Sequence, residues 1–168
     1  PVLYKPLHGV AVIATNSWAA ITARRKLACR WSESKYSTRG SESLRDELLQ
    51  KIKAPGNPVQ NTMSSSTDID FINSREIHEA VYTVPYLAHA CMETPATIAH
   101  AKTWSCEVWA STQAPQTVQK DVANTLGIPI FRVHVNVQSV GGRFGRKSKG
   151  DYATQAALIS QKTGKPIC

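Results

Sequence analysis

The sequence predicts an α+β fold, with mixed sheets and packed helices, on three observations. Apolar and polar residues alternate through 131–138, as in a strand with one buried face, and the chain then enters a glycine-rich turn and a helix that begins at Asp151. A second helix is bracketed by Pro115 in its first turn and by Gly127 and Pro129 at its end. Strands and helices interleave too irregularly for a doubly wound sheet, and no fixed-period repeat stands out. The 168 residues suffice for one substantial domain or for two incomplete pieces of a larger protein.

Each element has a local reason. Gly9-Val10-Ala11-Val12-Ile13-Ala14 reads as a buried strand, after which Asn16 or Ser17 caps a helix carrying Trp18, Ile21, Thr22, Arg25 and Ala28 at helical spacing. Trp18 and Trp31 read as core or edge-packing aromatics. Ser41 caps a further helix whose Leu44, Leu48, Leu49 and Ile52 share one face before Pro55-Gly56, with Lys51 and Lys53 suited to its C-terminal end. Residues 57–67 are poor in apolar side chains and read as a loop. Strand character resumes at Glu79-Ala80-Val81-Tyr82-Thr83-Val84 and again over 103–110, with Trp104, Cys106 and Val108 on one face and Glu107 and Trp109 on the other. Val118, Val122 and Leu126 line the helix that Pro115 opens, and Ala153, Ala156, Ala157 and Ser160 line the last helix before Gly164 and Pro166. Lys165-Pro166-Ile167-Cys168 falls where another strand would begin, and the chain opens without an initiating Met, so a fragment is expected. The expected organisation is a partial N-terminal α/β segment at 1–56, a connecting segment at 57–78 and a further domain portion at 79–168.

Composition narrows the partners. The net charge is +8, from 20 Lys and Arg against 12 Asp and Glu, and favours nucleic acid, a membrane surface or a phosphorylated cofactor. The cations are dispersed, however, with short clusters at Arg24-Arg25-Lys26 and at Arg146, Lys147 and Lys149. Cys29, Cys91, Cys106 and Cys168 form no CxxC pair, so the usual zinc-finger and iron–sulfur spacings are absent. Free or buried thiols are the default, although four cysteines also permit two disulfides. No apolar run approaches the roughly 18 residues of a membrane span, and the N-terminus lacks the pattern of a signal peptide.

The most informative stretch is Val140-Gly141-Gly142-Arg143-Phe144-Gly145-Arg146-Lys147, directly after the alternating strand. Glycines tolerate positive φ and keep no side chain between backbone and ligand, and successive N–H groups in such a turn form an anion site. A tight turn without a ligand has the same pattern. The order is neither GxGxxG nor a P-loop, because Lys147-Ser148 follows Arg146, and a nucleotide triphosphatase is disfavoured.

Four segments occur in order: Tyr86-Leu87-Ala88-His89-Ala90-Cys91-Met92-Glu93, Val108-Trp109-Ala110-Ser111-Thr112-Gln113-Ala114-Pro115, Leu126-Gly127-Ile128-Pro129, and Val140-Gly141-Gly142-Arg143-Phe144-Gly145-Arg146 of the glycine turn. Their succession resembles the molybdenum-binding large subunit of the xanthine oxidase/aldehyde oxidase family. With Gly9-Val10-Ala11-Val12 and Trp18-Ala19-Ala20 upstream, the wording is most similar to the isoquinoline 1-oxidoreductase β-subunit branch. The resemblance runs through most of residues 9–31 and 79–167, which makes 79–168 the first part of a molybdenum-cofactor-binding domain. It implies that Gln113 lies near the apical ligand of molybdenum and that Phe144 reaches the metal–pterin centre, with Gly142, Arg143 and Gly145 as neighbouring cofactor contacts and Arg146 as an anion partner. Two departures stand out: Arg143 occupies a position usually held by glycine, which crowds the cofactor if its φ is positive, and Thr94 intervenes between Glu93 and Pro95.

The same resemblance implies molybdopterin, in a dinucleotide form, with molybdenum, and 2Fe–2S clusters on a small partner subunit. The whole enzyme would hydroxylate an aldehyde or an N-heterocycle, with the remainder of the large subunit completing the site; the branch suggests the bacterial periplasm. The family's catalytic glutamate lies farther toward the C-terminus, so no carboxylate among Glu93, Glu107 and Asp151 takes its place, and this portion alone is expected to be inactive. His89 and Glu93 have the spacing of two helical metal ligands, but prolines flank them and a third ligand is lacking, so no protein residue is expected to ligate the metal directly. Two other readings stay open: a basic nucleic-acid or polyanion-binding module, with nucleic acid the less favoured partner, and a noncatalytic scaffold that keeps the fold.

Overall fold

A computed structural model describes residues 9–57, 73 and 76–168. The chain divides into two compact units, one of Pro1–Ile21 with Pro85–Cys168 and one of Thr22–Val84. The connecting segment read at 57–78 falls largely outside the described residues.

Helix α1 (Ser17–Arg25) runs across the division. Asn16 caps it as expected, its Oδ1 accepting the Ala19 N–H at 2.8 Å. Within the second unit, α2 (Ser41–Lys53) follows the anticipated boundaries, but Ser41 is not its cap. Gly40 takes that position, and the Ser43 hydroxyl accepts the Gly40 N–H at 3.1 Å. Glu47 accepts from Arg39 and, at 2.6 Å, from Lys51 one turn on, and both pairs hold its carboxyl below the ordinary value. The apolar face of α2 exists, but Leu48 and Ile52 are exposed.

The first unit holds the core. Strands β1 (Thr97–Ala101) and β2 (Cys106–Ala110) form an antiparallel pair in which Ala99 faces Val108. β2 then pairs in parallel with β3 (Val133–Val137), Cys106 opposite Val133 and Ala110 opposite Val137, and α3 (Pro115–Leu126) makes the crossover that a parallel pair requires. Helix α4 (Asp151–Thr163) packs on the same sheet. Gly127 and Gly164 end α3 and α4 in the left-handed conformation, at φ 69° and 67°. Ile167 exchanges two hydrogen bonds with Ala99, at 2.8 and 2.9 Å, so the last residues do meet the sheet.

The core is built from small side chains. Ala99, Val108, Val118, Val122, Val133, Ala153 and Ala157 are almost completely buried, and the small side chains of β1 and α4 let the two elements pack closely. At that closeness Ser160 reaches the sheet, its Oγ accepting the Ala101 N–H at 2.9 Å. Extra methylenes have no space here. Replacing Ala157 by Leu is expected to destabilise the intact gene product by about 1–3 kcal/mol, seen as a lower denaturation midpoint with an unchanged m-value.

The α+β class is as the sequence predicts, in one mixed sheet among the described residues, but several elements differ. Residues 9–14 and 79–84 form no strand and have no ladder partner among the described residues; Val10, Ile13, Val81, Tyr82 and Val84 are exposed. Trp18 and Trp31 are likewise exposed, at 72% and 71%, and do not pack in a core. β2 starts at Cys106, so Trp104 sits in the turn that Lys102 and Ser105 close rather than on the buried face. β3 starts at Val133 after a 3-10 turn, Ile130–Arg132, that leaves Phe131 outside. β1 was not anticipated.

Candidate functional site

Two chain turns leave the carboxyl ends of the parallel strands, the position where open sheets carry ligands. The first follows β2 as Ser111-Thr112-Gln113-Ala114 and feeds α3. Thr112 Oγ1 accepts the Ala114 N–H and donates to the Lys147 carbonyl, each at 3.1 Å. The Gln113 N–H donates to that same carbonyl at 3.0 Å. The glutamine turn and the glycine turn, well separated in sequence, therefore meet at one oxygen.

The second turn follows β3 and holds three of the six positive-φ residues among those described. Gly142, Phe144 and Gly145 have φ of 101°, 49° and 81°, after which Arg146–Ser148 make a 3-10 turn. Arg143 lies outside the positive-φ region, so the crowding expected there falls on its neighbour. A left-handed phenylalanine costs about 1–2 kcal/mol, and here its ring is 71% exposed. Burial of the ring thus does not offset the strain. A Cβ on Gly145 would meet nothing within 4 Å, so the backbone there opens onto space.

The residues around 91–93 bind the glycine turn from the other side. Glu93 Oε2 accepts the Gly141 N–H at 2.5 Å and also accepts from Lys147 Nζ, while the Glu93 N–H donates to the Gly141 carbonyl at 3.3 Å. Cys91 Sγ donates to the Arg143 carbonyl at 3.3 Å. Lys147 is wholly buried, whereas the Glu93 carboxylate reaches solvent. The hydrogen bond from Lys147, with those from Gly141 and Ser111, brings the Glu93 carboxyl from 4.5 to about 2. A lowered carboxyl contributes stability that is complete above its unfolded value and is lost as pH falls through the folded one. Amide exchange at Gly141 is accordingly expected to hold steady above pH 4.5 and, after correction for intrinsic rates, to accelerate between 4.5 and 2.

Arg146 is already engaged. Its guanidinium fork donates to both Asp151 oxygens, at 2.9 and 2.7 Å, and lies 5.8 Å from the centre of the Tyr152 ring. Partial burial works to raise the Asp151 carboxyl, but hydrogen bonding and charge from Arg146 outweigh it and leave the group below its ordinary value. The basic cluster read from the sequence is thereby dismantled: Arg146 is paired, Lys147 is buried, and Lys149 alone of the three is exposed and outside any ion pair. His89 is exposed and apart from these bonds, and among the described residues no three His, Cys, Asp or Glu are grouped to hold a metal.

The structure therefore gathers Gln113, Gly142, Arg143, Phe144, Gly145 and Arg146 at one end of the sheet. Gln113 is exposed and its carboxamide bonds to no described residue; the Arg143 guanidinium is exposed with no carboxylate partner among them. An open depression of about 530 Å³ adjoins the site through Glu93 and Ser111 and is lined also by His100, Trp109 and Gln138, but it includes neither Gln113 nor the glycine turn. Sequence reasoning did not foresee the pairing of Glu93 with Lys147: Glu93 was weighed only as a metal ligand or a catalytic base, and Lys147 only as part of a basic cluster. Glu93 lay inside a recognised motif and Lys147 directly after one, so position was available as a signal, although burial was not.

Residues 51–168 match the family described as the molybdopterin cofactor-binding domain. The chain belongs to this family. Aldehyde oxidase 2 of Mus musculus is 39% identical over 114 residues, covering 66% of this chain and 8% of that protein. A nicotinate dehydrogenase component from Pseudomonas putida is 28% identical over 161 residues, covering 94% of this chain and 13% of that one. The reconstituted CO dehydrogenase from Oligotropha carboxidovorans shares the fold at a TM-score of 0.51 and 24% identity, over 62% of this chain and 13% of the other. The chain thus spans a small part of the length of each of these relatives. Its residues fit such a cofactor: open backbone at Gly145, an unengaged carboxamide at Gln113 and an unpaired cation at Arg143 suit a polar, anionic, planar ligand.

Proposed function

We propose that this chain forms one wall of the molybdopterin site in the large subunit of a molybdenum hydroxylase acting on an aldehyde or an N-heterocycle. The observation that carries the reading is the shared Lys147 carbonyl, which sets the Gln113 turn beside the Phe144 turn at the ends of parallel strands. The bound group supplies the redox chemistry, as cofactors do. The chain supplies binding and orientation. The Gln113 carboxamide offers a donor and an acceptor beside the metal, Phe144 offers an apolar face against the pterin, and the N–H groups of 142–145 with the Arg143 guanidinium meet anionic oxygens. Arg146 keeps its role as an anion partner through its outer edge, while Asp151 holds its orientation.

On this reading the cofactor is a dinucleotide form, electrons pass to 2Fe–2S clusters on a small partner subunit, and the catalytic base comes from another part of the large subunit. The isoquinoline 1-oxidoreductase branch is the proposed setting, with the periplasm as its location. The matches to aldehyde oxidase and nicotinate dehydrogenase support both substrate classes. A nucleic-acid module, which rested on the net charge and on the Arg146, Lys147 and Lys149 cluster, is not favoured, because two of these three cations are paired or buried. The test is to purify the intact gene product from a cofactor-competent host and assay molybdenum and pterin. Near-stoichiometric content is expected; protein that contains neither overturns the reading.

A further inference from the structure

Lys147 is the largest fully buried side chain among the described residues, and it is charged. Burying an ammonium costs several kcal/mol, and a well-packed apolar side chain would often serve stability as well or better. What the lysine provides is connection. Its Nζ donates to Glu93, whose Oε2 also accepts the Gly141 N–H, while its carbonyl accepts from Thr112 Oγ1 and from the Gln113 N–H. The two non-glycine residues with positive φ among the described ones, Ala90 and Phe144, each precede one member of this pair, Glu93 and Lys147, by three residues. Strained backbone of this kind persists where surrounding bonds over-determine it.

We infer that Lys147 is a positioning residue whose side chain and carbonyl together hold the Gln113 turn and the Phe144 turn in a single mutual placement. The inference rests on the proposed cofactor site for what is being placed, but the coupling is a property of the chain itself. Unpairing the ammonium frees residue 147, and both turns loosen together.

Amide hydrogen exchange on the intact gene product, with and without bound cofactor, tests this. Lys147→Met is expected to speed exchange at Gln113 and at Gly141 together by about tenfold, with β1 and β2 unchanged and molybdenum content reduced. Glu93→Gln, which keeps an oxygen for the Gly141 N–H, is expected to speed Gln113 as well, although Glu93 makes no hydrogen bond to it; this variant carries the test if Lys147→Met does not fold. Val118→Ala lowers stability through the core and is expected to leave the local protection of both amides unchanged. Faster exchange at Gly141 with Gln113 still protected overturns the coupling, as does a Val118→Ala protein of similar melting temperature that loosens both turns equally. Wild-type protein without molybdopterin would defeat the functional reading instead, leaving the exchange data to decide the coupling.

Discussion

Gln113→Ala in the intact enzyme is expected to retain molybdenum and pterin yet lose about 100-fold in kcat. The side chain is exposed, bonds to no described residue and contributes nothing to the core, so its removal leaves the fold intact. Its backbone N–H still donates to the Lys147 carbonyl, so the turn keeps its shape. On the proposed placement, what disappears is one preorganised dipole beside the reacting centre, and losing a single such donor costs about 10²–10³ in turnover. Steady-state kinetics with metal analysis on the same sample checks the result. Loss of metal in proportion to activity would show instead that Gln113 serves retention.

The second large effect is expected at Gly142. Its φ of 101° lies outside the range that a β-branched residue adopts, so Gly142→Val strains the backbone by about 1–3 kcal/mol. Crowding adds little, because a Cβ there would meet only the Phe144 ring, at 3.7 Å. The turn relieves the strain by rotating its amides, and those amides are the proposed anion contacts. The variant is therefore expected to fold, with helix content unchanged by circular dichroism, and to purify without molybdenum. Full metal content in Gly142→Val would remove the backbone of this turn from cofactor binding.

The helices were legible where chain-end chemistry is local. Pro115, Gly127 and Gly164 fix the start of α3 and the ends of α3 and α4, because proline and left-handed glycine act within a few residues of themselves. Strands depend on partners elsewhere in the chain. Val10, Val12 and Ile13 have the composition of a strand without its pairing, whereas Thr97–Ala101, with two alanines in five residues, has the pairing without a strong propensity. The site divided along the same line. Motif order brought forward Gln113 and Phe144 as candidates, but Lys147 read as one of a basic run, since its carboxylate partner lies 54 residues away. Arg146 was taken for an open anion contact because its occupant, Asp151, was read as the start of a helix and not as an ion-pair partner.

The parallel register of β2 and β3 also acts as a gauge for the mouth between them. Ala110 stands opposite Val137, so Gln113 emerges three residues beyond one reference point and Phe144 seven beyond the other. A slip of one residue would shift the two groups by about 3.3 Å, more than the length of a hydrogen bond, and would turn each buried face outward. Val108 and Val133 penalise that slip from deep inside the sheet, far from any ligand. Insertions in the α3 crossover leave the width untouched, whereas a single deletion within β3 resets it.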